Sequence, residues 1–163
     1  NSPKTSSVGR LFDAVASLAG LRQVMRFEGQ AAMELEFGLP EIQANDAYHL
    51  KIIHAPNDET ILDWQPMVLE ILTDLKSKIS VAEISAKFHN ALVEAIVTVA
   101  KSFGLNRIAL SGGCFQNRYL TERTVTRLRQ ENFQPYWHQR VPPNDGGIAL
   151  GQIFAARHQL KLK

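Results

Sequence analysis

Apolar positions along the 163-residue chain fall into helical spacing in some stretches and into short unbroken runs in others. Ser6 or Ser7 is placed to cap a helix running to about Ala19, with Leu11, Phe12, Val15, Leu18 and Ala19 on one face and Gly20 ending it. Phe27–Phe37 reads as a second helix, with Ala31, Leu35 and Gly38 marking one side. Residues 40–65 carry a weaker pattern: Tyr48–Ile53 as a strand, Pro56-Asn57-Asp58 as a turn, and Thr60–Trp64 as the returning strand. Pro66 suits the first turn of a helix over Met67–Leu75. The strongest periodicity lies in Val81–Phe103, where Ile84, Phe88, Ala91, Leu92, Ala95, Ile96, Val99 and Phe103 form an unbroken stripe closed by Gly104.

The rest of the chain is organised around Arg107–Asn117, RIALSGGCFQN. Ile108, Ala109 and Leu110 suit a strand buried on both faces, hence a parallel sheet. Gly112 and Gly113 let the backbone turn sharply and let a ligand come close. The helix that follows, from about Arg118 to Glu131, points its N–H groups and positive dipole end at that turn. Together these make an anion and nucleotide site, or simply a topological turn. Asn117 either caps the helix or reaches a ribose or adenine. The pattern is neither a Walker A loop nor a Rossmann fingerprint.

A strand near Pro135–His138 and a final helix complete an alternation that predicts an α/β fold with a parallel sheet, whose ligands sit at the carboxyl ends of the strands. Before the last helix, Pro142 and Pro143 enforce an extended approach, and Asn144 or Asp145 is placed to cap it. Gly147, Gly151 and Ala155 form a flat stripe for close backbone packing. Three polar positions have two readings each. Asp13 is a surface carboxylate favoured by its helix dipole, or an acceptor for ribose hydroxyls. Glu28-Gly29-Gln30 starts a helix or faces a ligand. Asp145 is a cap, or a metal- or phosphate-side carboxylate, but one aspartate cannot hold a metal, so any partner ligands lie outside this chain.

Composition narrows the classes. With 45% hydrophobic and 21% charged residues, positions 1–163 are expected to fold as a single domain. A net charge of +2 gives no reason to expect nucleic acid or a membrane surface, and Arg123, Arg127 and Arg129 share their helix with Glu122 and Glu131 as an ordinary solvated face. The one cysteine, Cys114, excludes an internal disulfide and fits a reducing cytoplasm. No apolar run approaches ~20 residues. His89 reads as a structural histidine, His49 and His54 are too far apart for an HxxxH pair, and His138 and His158 stand alone. No nucleophile with a neighbouring base is visible. The chain starts without Met, which suggests a piece of a longer polypeptide.

Four segments resemble one family: SSVGRLFDAVASLAGL (6–21), FEGQAAMELE (27–36), LSGGCFQNRYL (110–120) and RVPPNDGGIALGQ (140–152). They are similar to the C-terminal part of the hydrogenase-maturation carbamoyltransferases, which are related to the tRNA threonylcarbamoyl-adenosine transferases. The resemblance implies the second lobe of an actin-like, sugar-kinase-type (ribonuclease-H-like) ATPase fold, a parallel sheet with helices packed on it plus a helical insertion. It implies an ATP-dependent enzyme that turns carbamoyl phosphate into carbamoyl-adenylate and carbamoylates the C-terminal cysteine of a partner hydrogenase maturation protein, towards the cyanide ligands of the nickel–iron centre. By the same resemblance, Gly112, Gly113 and Asn117 hold the adenosine, Asp13 binds the ribose hydroxyls, and Glu28 and Gly29 line the same pocket. Asp145 becomes the third ligand of a divalent metal, iron or zinc, whose other ligands are histidines of a preceding lobe absent here; magnesium accompanies ATP. No residue of this chain is implied as catalytic, and Cys114 stands where the family commonly has an aliphatic residue. The alternatives are a lobe of another actin-like ATPase or small-molecule kinase, and an interaction domain whose glycine turns are only structural. The lobe alone is expected to bind nucleotide weakly and not to turn over.

Overall fold

The structure is a computed structural model that describes residues 5–40, 45–54 and 59–161. Helix α4 (Val81–Phe103) is its axis, with α1 (Val8–Leu18), α2 (Gln30–Phe37), the hairpin β1 (Lys51–His54) and β2 (Thr60–Asp63), and α3 (Gln65–Lys76) preceding it in the chain. After α4 come β3 (Arg107–Leu110), α5 (Arg118–Gln130), β4 (Gln134–Trp137) and α6 (Ile148–Lys161), with short 3-10 helices at Gly113–Gln116 and Asp145–Gly147.

Helix α4 starts with a capping box: Ser80 Oγ accepts from the Glu83 N–H at 3.2 Å while the Glu83 carboxylate accepts from the Ser80 N–H. Gly104, at φ +64°, ends it. The predicted single stripe understates its burial. Ile84, Phe88 and Leu92 pack with Phe12 and Val15 of α1, Leu35 of α2, and Met67 and Ile71 of α3. Further along, Val97 and Ala100 pack with Leu110, Val125 and Leu128. The helix is wrapped by elements from both halves of the chain, so more than one of its faces is apolar. Each fully buried Leu or Phe here contributes roughly 1.5–3 kcal/mol.

Strands β3 and β4 pair in parallel, Ile108 against Pro135 and Leu110 against Trp137, which makes the chain α/β. The expected burial of β3 on both faces does not hold. Ile108 and Leu110 face the α4–α5 core, whereas Arg107 and Ala109 are exposed, as is Tyr136 beside them. One face of this sheet is therefore bare among the described residues. The hairpin is antiparallel, and its predicted Pro56-Asn57-Asp58 turn lies outside the described residues. Its first strand starts later than Tyr48 because that ring turns into the core, where its hydroxyl donates to Asp74 Oδ2 at 2.8 Å. Helix α2 likewise starts at Gln30, since Gly29 adopts φ +77°.

Arg127 is not part of a merely solvated face: its guanidinium grips Glu94 of α4 with two hydrogen bonds, at 2.6 and 3.0 Å. Helix α6 is exposed along its described length, with Ile153 and Phe154 bare. Its expected glycine stripe makes close contact only at Gly147, where a Cβ would lie 2.7 Å from the Pro142 carbonyl oxygen; Gly151 faces open space.

Candidate functional site

Past the carboxyl ends of β3 and β4 lie Gly112, Gly113, Asn117 and Asp145 of the candidate site. Past Leu110 the backbone reaches Gly112 at φ +106° and ψ 157°, a conformation closed to side chains with a Cβ. The Gly112 N–H donates to the Pro143 carbonyl at 2.9 Å. A Cβ on Gly113 would sit 4.0 Å from the Asn144 Cβ. The glycine turn and the 141–147 turn, distant in sequence, are therefore in contact. Ser111 Oγ stands 3.1 Å from His138 Nε2. Neither residue stood out in the sequence. The signal was the parallel register itself, which sets the residues after Leu110 and Trp137 side by side.

Helix α5 does not offer free N–H groups to a ligand, contrary to the expectation. Asn117 Oδ1 accepts from Leu120 N at 2.8 Å, the cap reading of this residue. Glu36, at the end of α2, takes the N–H groups of Arg118 at 2.7 Å and Tyr119 at 3.1 Å. The donors left are one turn earlier: the Gly113 and Cys114 N–H groups have no acceptor among the described residues.

The Asn117 side chain points inward. Its Nδ2 donates to His89 Nε2 at 2.9 Å. His89 is fully buried, ringed edge-on by Phe12, Phe88 and Tyr119, and its Nδ1–H donates to the Ser85 carbonyl at 2.8 Å. Both nitrogens are committed, as the structural reading required. Burial pushes its pKa down to about 4, against a lesser opposing effect of the Ser85 bond, so the ring is neutral.

Asp13 lies on α1, which packs against the Gly113–Gln116 turn. Arg10 Nη1 comes within 3.0 Å of Asp13 Oδ2, off the line of a hydrogen bond, so this buried oxygen has no aligned donor. Glu28 and Gly29 are exposed at the start of α2, with no hydrogen bond to the glycine turn among the described residues.

Asp145 is exposed and its carboxylate accepts no hydrogen bond among the described residues, although its backbone carbonyl takes the Ile148 N–H; Asn144 is the residue that caps, accepting from the Gly146 N–H at 3.1 Å. No group of three His, Cys, Asp or Glu gathers among the described residues, so they alone do not make up a metal site. Cys114 is half-buried, and burial pushes its thiol pKa up, the wrong direction for a nucleophile. Two shallow surface depressions lie away from the turn, one walled by Tyr48, Glu70 and Asp74, the other by Tyr119, Arg123 and Arg127. Ser111, Gly112 and Gly113 are exposed, so the glycine turn lies open at the surface of the described residues. No helix among the described residues is long and apolar enough to cross a membrane.

Comparison with known proteins decides the family. The sequence profile described as "Carbamoyltransferase, Kae1-like Domain, second subdomain" matches residues 1–152. The chain belongs to this family. Carbamoyltransferase HypF of Synechocystis sp. is 43% identical over 155 residues, covering 94% of this chain and 20% of that protein. Carbamoyltransferase HypF of Rhizobium leguminosarum bv. viciae is 37% identical over 161 residues, with 95% and 20% covered. A full-length HypF crystallised in its phosphate- and nucleotide-bound form superposes with a TM-score of 0.84 at 43% identity, over 90% of this chain and 23% of that one. HypF of T. kodakarensis gives a TM-score of 0.80 at 26% identity, over 99% and 21%. The chain spans about a fifth of the length of these curated relatives.

Proposed function

We propose that this chain is the nucleotide-binding lobe of a HypF-type carbamoyltransferase. In this reading the parent polypeptide uses carbamoyl phosphate and ATP to form carbamoyl-adenylate. It then carbamoylates the C-terminal cysteine of a partner protein in nickel–iron hydrogenase maturation. The observation that carries it is the Gly112–Pro143 contact, which brings two glycine-rich turns together at the strand ends. The 43% identical HypF crystallised with nucleotide supports it.

The open Gly113 and Cys114 N–H groups and the Cβ-free surface of the turn suit the adenosine of ATP. Asp13, on the helix that packs against the glycine turn, is assigned to the ribose hydroxyls. Glu28 and Gly29 are assigned to the outer edge of the same site. Asn117 acts from beneath, by holding the turn. Asp145 offers a carboxylate that this lobe can contribute to an iron or zinc ion completed elsewhere in the polypeptide; magnesium accompanies ATP. A carbamoyl–adenylate anhydride is already activated, so the residues here need only bind it, orient it and keep water away. The bare face of the β3–β4 sheet and the uncovered α6 support a lobe of a larger actin-like, sugar-kinase-type body.

Gly113→Ala in the full-length polypeptide tests the site. Its Cβ would meet nothing closer than 4.0 Å, so the melting temperature is expected to hold while calorimetric affinity for Mg-ATP falls about tenfold or more. Unchanged affinity refutes the placement of the nucleotide.

A further inference from the structure

We propose that His89 is a positioning residue of the nucleotide site: by accepting the Asn117 amide at Nε2, it fixes the glycine turn against the helices that carry the other site residues. The role rests on the nucleotide reading above and deepens it.

An asparagine cap has two amide orientations, and only one presents Oδ1 to the Leu120 N–H. With Nδ1–H donated to the Ser85 carbonyl, His89 Nε2 can only accept. It therefore selects the orientation in which Nδ2 points inward and Oδ1 caps α5. The Asn117 N–H donates to the Cys114 carbonyl at 3.1 Å, so fixing Asn117 also fixes the end of the glycine turn.

The imidazole joins more than this one turn. Phe12 packs on it with ring centroids 5.3 Å apart, and Asp13 is the next residue of α1. Ser85, its partner on α4, donates its hydroxyl to the Leu35 carbonyl of α2 at 2.6 Å. Helix α2 in turn sends Glu36 to the first N–H groups of α5. Helix α1 and the end of the glycine turn thus meet this ring directly, and α2, the helix that follows Glu28 and Gly29, is tied to it through Ser85. A core histidine needs satisfied nitrogens; it does not need its partner to be the residue where turn and helix meet.

Two amide substitutions separate positioning from packing. In His89→Asn the side-chain nitrogen takes the place of Nδ1 and keeps the Ser85 bond, with no atom where Nε2 stood. In His89→Gln the longer amide places an acceptor near the Nε2 position. In the full-length polypeptide, H89N is expected to weaken Mg-ATP binding about tenfold or more. H89Q is expected to stay within about threefold of wild type, with both melting temperatures lowered alike. Equal losses in the two variants, or no loss in a folded H89N, overturn the proposal. Should H89N not fold, Asn117→Ser keeps the α5 cap and removes only the donor to Nε2; unchanged affinity there overturns it equally. A wild-type polypeptide that binds no ATP overturns the nucleotide reading and this role with it, whereas a binding wild type beside an unaffected H89N overturns this role alone.

Discussion

Gly112 and Pro143 are joined by a backbone hydrogen bond of 2.9 Å, the contact that closes two distant turns onto one another. It exists because Gly112 adopts φ +106° and ψ 157° and so aims its N–H across the strand ends. A side chain at this position forces the backbone out of that conformation. Gly112→Ala is expected to cost about 1–3 kcal/mol in urea unfolding. Gly113→Ala, whose Cβ would meet only the Asn144 Cβ at 4.0 Å and whose φ is negative, should cost less than about 0.5 kcal/mol. Equal stability of the two variants would contradict the geometry.

The same two residues show what the sequence makes legible. The strand–glycine–helix order, Gly20 and Gly104 as helix ends, and the apolar stripe of α4 from Ile84 to Val99 are local signals, and the structure matches them; Phe103, at the end of that stripe, is exposed instead. The bond from Glu36 to the start of α5 joins residues far apart in the chain, and no local pattern announces it. The reach from Asn117 to His89 is equally non-local; sequence left cap and ligand readings open, and the fold directs the side chain inward. Strand β3 looked buried on both faces because Ala109 is small and apolar, yet a single alanine does not say which face is covered. The glycine stripe of α6 was a correct pattern with only one neighbour to meet.

His89 makes stability depend on pH in a direction that can be checked. Its native pKa, about 4, lies below the unfolded value of 6.5, so between these values the unfolded chain binds more protons. Stability therefore rises with pH across that window, is fully present above 6.5, and is lost on acidification towards 4. By pH 5 the loss from this group is about 2 kcal/mol, from 1.36 kcal/mol per pKa unit. Urea unfolding at pH 7 and pH 5 should show wild type losing about 2 kcal/mol more than His89→Gln. The carboxylates held low by basic partners, Glu94 by Arg127 and Asp74 by Lys87, add their losses only below about 4.5, outside this comparison. A pH-independent difference between the two proteins would contradict the buried neutral ring.

Thr124 is fully buried on α5, and its hydroxyl finds no partner among the described residues. A hydroxyl withdrawn from water without a new bond costs about 1–3 kcal/mol. Valine has nearly the same shape and no such group. Thr124→Val is expected to raise stability by about 1 kcal/mol and the melting temperature by a few degrees, without altering nucleotide affinity. A destabilised variant would mean that the hydroxyl is satisfied after all.

Cys114 sits inside the glycine turn, where a reactive thiol would invite a covalent mechanism. Its surroundings argue against one: the side chain packs against the apolar cluster around Phe12 and Phe88, and burial keeps it a thiol at neutral pH. Iodoacetamide at pH 7.5 is expected to label the native chain at least tenfold more slowly than the urea-unfolded chain, since only the thiolate attacks and the folded state disfavours it. Cys114→Ala should cost about 1 kcal/mol of packing. The full-length polypeptide carrying it should transfer carbamoyl groups within about twofold of wild type. Loss of transfer in a folded Cys114→Ala enzyme would contradict the unreactive thiol and point to a covalent role for the turn.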